Sequence, residues 1–222
     1  MSVHACSSPR GLAGWAFAAL MALATGPASA TVLYQQDPVA YGVGYYANLN
    51  YPQQMADDFN LSGAVLLESI SWWGGYDGNI DNGDDDFLVR LYSSMTATGT
   101  VLQEYNAVPF TRTATALADI AGNNVYQYDF VLPTSLSLSA GTRHLFVQNL
   151  GTSDWFWLEG AAGNSTVMYR GEDTDDWTSF GDADLALRIE GTPGQAPEPS
   201  SIALLGMAGL SMALAGRRRR KA

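Results

Sequence analysis

The sequence predicts an all-β domain, an antiparallel two-sheet β-sandwich with a jelly-roll-like order, lying between two short terminal signals. Between residues 31 and 191, short runs rich in Val, Tyr, Trp, Phe and Leu are separated by clusters of Gly, Asn, Asp and Ser. In one run, Phe87, Val89 and Leu91 occupy alternate positions, which is the two-residue period of a strand with one buried face. No part of this region keeps an apolar period of 3.6 residues, so a helical core is not expected.

Ten strands are predicted from these runs. They cover residues 32–35, 55–61, 65–73, 87–93, 101–108, 125–132, 143–150, 155–158, 166–170 and 185–190. Their number and spacing in one domain favour two packed antiparallel sheets. Residues 111–120 (TRTATALADI) fit this pattern least well, and a short helix or a long loop is predicted there.

Charge is distributed very unevenly along the chain. The 222 residues carry a net charge of −11, but residues 31–196 hold five Arg, no Lys and 21 acids, a net charge of −16. A domain this acidic would repel a phosphate backbone, so nucleic-acid binding is excluded. The single cysteine is Cys6, so from residue 31 onward a disulfide, a zinc-thiolate site and a cysteine nucleophile are excluded as well.

Residues 1–30 are predicted to be a secretory signal peptide. Arg10 precedes an apolar run at 12–24, and a Gly-Pro break leads to Ala28-Ser29-Ala30, the small-x-small pattern cleaved by signal peptidase. Cleavage after Ala30 would start the mature chain at Thr31. An uncleaved membrane anchor is the alternative, but the run is shorter than the roughly 20 residues of a spanning helix.

The last 31 residues divide into three parts. A Pro/Gly-rich linker at 192–200 contains Pro197, Glu198 and Pro199, and the two proline rings keep the backbone extended. An uncharged run at 201–216 would form a transmembrane helix about 24 Å long in the inner membrane. The basic tail at 217–222 would remain on the cytoplasmic side.

This three-part end resembles the PEP-CTERM sorting signal of Gram-negative bacteria. The resemblance rests on Pro197-Glu198-Pro199, the apolar run and the arginine tail, and it covers about the last 26 residues. It implies recognition by exosortase, a membrane protease, and release or transfer to the cell surface or the extracellular polymer matrix. An ordinary tail anchor is the alternative.

An acidic loop at residues 77–86 is a candidate calcium site. Its candidate ligands are Asp77, Asn79, Asp81, Asp84 and Asp86. Oxygen ligands at alternate positions can converge on a hard cation, which would also relieve the repulsion between their charges. The loop begins like an EF-hand loop, but Asn82 replaces the central glycine and Leu88 replaces the final glutamate. The alternative is a solvated turn between two strands.

A second acidic run lies at residues 172–176. Either it faces the first acidic loop, or it only keeps the surface soluble.

Carbohydrate binding is predicted at Trp73, Trp155 and Trp177, because an outward aromatic ring beside polar groups can stack on a sugar. Four tyrosines would enlarge such a surface: Tyr41, Tyr45, Tyr46 and Tyr51. Packing in the core is the alternative for all these rings.

The sequence contains no catalytic constellation. From residue 31 onward the only histidine is His144, within a predicted strand, and Ser165 follows Gly163 but lacks the second glycine of a nucleophile elbow. We therefore expect a structural or adhesive protein rather than an enzyme. One alternative is a calcium-dependent module that binds extracellular polysaccharide, and a second is a glycoside hydrolase or lyase.

Overall fold

The computed structural model describes residues 30–51, 53–161 and 163–194. Their secondary structure consists of thirteen strands and one short 3-10 turn at Asp77–Asn79. The strands are β1 (Thr31–Gln36), β2 (Gly44–Tyr46), β3 (Gln54–Leu61), β4 (Val65–Tyr76), β5 (Phe87–Ser94), β6 (Thr100–Tyr105), β7 (Thr111–Ala118), β8 (Asn124–Leu138), β9 (Gly141–Asn149), β10 (Trp155–Leu158), β11 (Thr166–Arg170), β12 (Thr178–Gly181) and β13 (Leu187–Pro193).

The larger of the two sheets has seven strands arranged around β4. One edge of β4 pairs with β8, and β8 pairs in turn with β7. The other edge is shared, because β13 pairs with residues 65–72 and β10 with residues 74–76. β1 extends the sheet beyond β13, and β2 extends it beyond β10. The length of β4 thus lets one strand organise the whole sheet.

The smaller sheet has six antiparallel strands in the order β12-β11-β3-β9-β5-β6. The core lies between the two sheets. Trp72 of β4 stacks on Tyr128 of β8, with ring centroids 5.8 Å apart. Phe87 of β5 reaches across from the smaller sheet and meets Trp155 of β10 edge-on at 5.1 Å. These four rings are almost completely buried, so they supply much of the apolar area that holds the sheets together.

The structure confirms the all-β, antiparallel, sandwich-like prediction. Hairpins join β5 to β6, β7 to β8 and β11 to β12, and most other connections cross from one sheet to the other. The prediction for residues 111–120 was wrong, since Thr111–Ala118 form the edge strand β7 paired with β8. Alternating β-branched residues Thr111, Thr113 and Thr115 favour a strand there.

Both ends of the described chain lie at one end of the sandwich. Thr31 pairs with Gly191, Val65 pairs with Pro193, and the Gly194 amide donates to the Ala64 carbonyl at 2.6 Å. β4 then runs from Val65 to Tyr76, roughly 36 Å at about 3.3 Å per residue. The residues that follow Tyr76 therefore lie at the opposite end.

β13 continues through Pro193, two residues into the segment predicted as a linker. The predicted signal peptide and sorting segment fall outside the described residues, apart from Ala30 and the first linker residues. Within the ranges given above, no helix is long and apolar enough to cross a membrane.

Candidate functional site

The end of the sandwich beyond Tyr76 gathers most of the predicted site residues. We call it the acidic end and define it as loops 77–86 and 150–154 together with Tyr46 and Tyr51. Trp155 pairs with Tyr76, so the residues after β4 and before β10 lie side by side. The Asp77 amide donates to the Asp154 carbonyl at 3.0 Å, which joins the two loops.

Arg112 of β7 is the cation of the first acidic loop. One guanidinium nitrogen, Nη1, lies 2.8 Å from Asp81 Oδ2 and 2.8 Å from Asp85 Oδ2. The guanidinium also lies over the Tyr126 ring, 4.8 Å from its centroid. The positive charge that the clustered carboxylates require is thus supplied by the chain itself.

Asp85 holds its carboxylate largely away from solvent, with 9% of its side chain exposed. It accepts hydrogen bonds from the Tyr76 hydroxyl and from Asn149 Nδ2, the latter at 3.1 Å. Burial raises the pKa of Asp85, and Arg112 opposes this rise. Burial, reinforced by the charge of Asp85, also raises the pKa of Tyr128, which lies beneath the network.

Asp84 fastens the first acidic loop to residues 150–154. Its Oδ2 accepts from the Thr152 amide at 2.7 Å and from the Thr152 hydroxyl, and its Oδ1 accepts from Ser153 Oγ at 3.1 Å. These hydrogen bonds lower the pKa of Asp84. Gly151 makes the approach possible, because a Cβ there would lie 2.4 Å from the Asp84 carbonyl oxygen.

The predicted calcium ligands do not converge. Asp77 accepts from the Tyr46 hydroxyl at 3.0 Å, and Asn79 Oδ1 accepts from the Asn124 amide at 2.7 Å. Asp81 turns to Arg112, Asp84 binds residues 152 and 153, and the contacts of Asp86 are made by its backbone. Among the residues that the structure describes, no three His, Cys, Asp or Glu side chains are placed to hold a metal ion. The geometry therefore gives the calcium hypothesis no support.

A pair of stacked tyrosines forms an aromatic surface at the acidic end. The Tyr46 and Tyr51 rings are 4.5 Å apart and inclined by 19°. Tyr51 is 47% exposed, so its ring reaches solvent. Burial, followed by the hydrogen bond to Asp77, raises the pKa of Tyr46 to about 12. Asn50 Nδ2 donates to Asp154 Oδ1 at 3.1 Å and completes a polar rim.

The predicted carbohydrate-binding tryptophans are all buried, which corrects that assignment. Trp155 lies in the core, where its Nε1 donates to the Tyr128 hydroxyl at 3.3 Å. Trp73 does point outward, as the strand alternation requires, but the Arg188 guanidinium lies 5.8 Å from its ring centroid. An outward position on a strand is therefore not the same as an exposed ring.

Trp177 directly follows the second acidic run and is buried. We call Arg90, Arg170 and Asp173 the arginine clamp. Asp173 binds Arg90 through two hydrogen bonds, of 2.6 and 2.9 Å, and accepts from Arg170 Nη2 at 2.7 Å. The Arg170 guanidinium lies 4.4 Å from the Trp177 ring centroid.

The clamp fixes the 171–177 loop over the outer face of the smaller sheet. There Trp177 meets Tyr92 and Phe146 edge-on, at 5.8 and 6.2 Å. The hydrogen bonds from Arg90 lower the pKa of Asp173. The run thus does more than keep the surface soluble, because its Asp173 carboxylate binds Arg90 and Arg170 and holds the loop on the smaller sheet.

Asp57 is a buried polar residue that the sequence reasoning missed. Its Oδ2 accepts from the Leu185 amide at 2.6 Å, and its Oδ1 accepts from the Asp58 amide at 2.8 Å. Burial raises its pKa well above the ordinary value. The signal was present in the strand alternation, since Met55, Asp57 and Phe59 share the inward face of β3. Its bonds join β3 to the segment before β13.

Neither candidate for catalysis acquires a catalytic setting. Burial lowers the pKa of His144, which lies on β9 opposite Asp58. Ser165 uses its backbone amide to bind Asp184 Oδ1 at 3.0 Å.

Comparison with known protein families gives a match in the C-terminal segment. No curated protein matches the chain. Residues 195–220 match the family model of the PEP-CTERM protein-sorting motif, and they include Pro197, Glu198 and Pro199. This motif supports export, sorting by exosortase, and localisation at the cell surface or outside the cell. The chain therefore carries a PEP-CTERM protein-sorting motif immediately after an acidic β-sandwich.

Proposed function

We propose that the protein is a structural or adhesive component of the cell surface or extracellular polymer matrix, delivered there by exosortase. The observation that carries this proposal is the sorting motif at residues 195–220, which begins one residue after the described sandwich ends. One feature of the sandwich is consistent with a structural role, because its buried carboxylates Asp57, Asp184 and Asp85 bind backbone amides or an arginine.

Changing Pro197, Glu198 and Pro199 together to alanine should trap the full-length protein in the inner membrane. The apolar run would still insert, but the exosortase recognition element would be lost. Immunoblots of membrane and medium fractions would measure the ratio of retained to released protein. The matched control changes Gln195, Ser200 and Ser201 to alanine, which should leave release intact. Release of the first variant at the wild-type rate would contradict the proposal.

Adhesion through carbohydrate is the second candidate, and the Tyr46–Tyr51 stack favours it. The ring of Tyr51 is open to solvent, while Asp77, Asp154 and Asn50 supply hydrogen-bonding groups at its rim. Sugars are held in this way, with C–H faces on an aromatic ring and hydroxyls on polar neighbours. The site is built by hydrogen bonds and needs no metal, so chelation of calcium should not weaken binding.

Tyr51→Ala should reduce affinity for an extracellular polysaccharide about tenfold, which corresponds to a loss of about 1.4 kcal/mol. Tyr169 on β11 is a suitable matched control, because it is 38% exposed and lies on the other sheet. Glycan-array binding and affinity electrophoresis would measure both variants with and without chelator. Equal binding by the wild type and Tyr51→Ala would remove this candidate.

A further inference from the structure

The position of the chain ends allows the orientation of the domain at a membrane to be inferred, and this step rests on the proposed exosortase sorting. We define the exit end of the sandwich as Thr31, loops 62–64 and 139–140, and Gly194. Val65 pairs with both Pro193 and Leu138, which brings these segments together. The acidic end lies roughly 36 Å away along β4.

The connection from the sandwich to the predicted membrane segment is short. Seven peptide steps separate Gly194 from Ser201, so even when fully extended they span at most about 25 Å. This is less than the length of the sandwich itself. Before cleavage, the exit end is therefore held close to the lipid surface, while the acidic end is free to point away.

The two ends also differ in charge, and this difference favours the same orientation. Loops 62–64 (Ser-Gly-Ala) and 139–140 (Ser-Ala) contain no charged residue, whereas loops 77–86, 119–123 and 150–154 contain seven aspartates. Arg143 lies at the exit end, where Nη2 donates to the Ser139 carbonyl at 3.0 Å and to the Ser139 hydroxyl at 2.7 Å. It is also the one domain arginine for which the described residues provide no ion pair. Three acids lie on strands at a similar depth, and each has a partner: Asp58 accepts from Asn164, Glu68 accepts from Thr192, and Glu190 pairs with Arg188.

These charges give the domain a preferred orientation near anionic lipid. Electrostatic repulsion decays over about 8 Å at physiological ionic strength. Carboxylates held 36 Å or more from the surface therefore experience almost none of it, whereas the same carboxylates turned toward the lipid would be repelled. Arg143 at the exit end would be attracted.

We propose that in the membrane-anchored intermediate the exit end faces an anionic phospholipid surface and the acidic end points outward. The sandwich then stands end-on, with the Tyr46–Tyr51 surface on its outer side.

Fluorescence quenching in vesicles tests this orientation. Residues 31–222, the chain expected after signal-peptide cleavage, contain no cysteine and would receive a single labelled cysteine at Ser139 or at Asn82, which are both exposed and lie at opposite ends. The vesicles would contain phosphatidylethanolamine, phosphatidylglycerol and a headgroup quencher. We expect quenching at position 139 to exceed quenching at position 82 severalfold. Equal quenching of protein that floats with the vesicles would overturn the orientation alone. Protein that fails to float with the vesicles would show that the chain is not anchored in the membrane. That result would contradict both the orientation and the proposed sorting by exosortase.

A charge variant tests the electrostatic cause. Ala140→Glu places an acid at the exit end and should reduce quenching of the 139 label about twofold. Asn82→Glu adds the same charge at an exposed position of the acidic end and should leave that signal unchanged. If both variants behave alike, surface charge does not orient the domain.

Discussion

Asp173→Ala should lower the free energy of unfolding by about 2 to 3 kcal/mol, although Asp173 belongs to a run of acids that looks like an ordinary soluble loop. The substitution leaves Arg170, only 2% exposed, without its carboxylate partner. Breaking a fully buried ion pair in this way costs roughly 3 to 5 kcal/mol. We expect less because the Asp173 side chain is itself 55% exposed.

Urea unfolding would measure this loss, and Asp176→Ala provides the control. Asp176→Ala removes the same charge from the same loop, but Asp176 takes no part in the arginine clamp. Its substitution should change stability by less than about 0.5 kcal/mol. Equal effects of the two substitutions would show that the clamp does not stabilise the loop. Trp177 emission should shift to longer wavelength in Asp173→Ala only, because the clamp covers that ring.

The contribution of the arginine clamp to the free energy of unfolding should also depend on pH. The pKa of Asp173 is lowered in the folded protein, so its contribution is present above the unfolded pKa near 3.8 and is lost as the pH falls through the lower folded value. The difference between the wild type and Asp173→Ala should therefore be full at pH 7 and shrink progressively below pH 4.

Arg112→Met should destabilise the protein by about 2 to 3 kcal/mol, because it leaves the buried Asp85 carboxylate without its cation. Arg143→Met is the control, since it removes an arginine that forms hydrogen bonds with backbone carbonyls and the Ser139 hydroxyl at the exit end. We expect it to cost less than about 1 kcal/mol. If Arg143→Met costs as much as Arg112→Met, the assignment of Arg112 as the cation of the loop is wrong.

The pH dependence of the destabilisation caused by Arg112→Met distinguishes loss of the Arg112–Asp85 ion pair from loss of packing alone. The folded pKa of Asp85 is raised, and removal of Arg112 should raise it further. The destabilisation caused by Arg112→Met should therefore grow as the pH rises through that pKa and narrow at low pH, where Asp85 is neutral. A cost that is constant from pH 4 to pH 8 would indicate lost packing only.

Strand alternation carried most of the information on the fold. It predicted residues 155–158 and 166–170 to the residue, because each run has turn residues on both sides. It failed at 111–120, where alternating threonines at a sheet edge bury too little apolar surface to give a strong pattern. Alternation also cannot show what covers the outer face of a sheet, and for this reason it predicts an exposed ring at Trp73, which the structure buries.

The charges of the first acidic loop show the same limit of prediction from local sequence. Clustered carboxylates require a positive charge, and that requirement is visible in residues 77–86 alone. The source of the charge is not, since Arg112 is 26 positions beyond Asp86 and reaches Asp81 and Asp85 only after β7 has paired with β8.

By itself, the sequence determined the all-β class, the acidic character of the domain and the sorting motif, because these depend on composition, on a two-residue period and on contiguous residues. The tertiary structure decided which charges pair, which rings are buried and at which end the chain leaves the sandwich. Those properties depend on contacts between strands far apart in the chain, such as β1 with β13 and β4 with β8. No local pattern specifies such pairings.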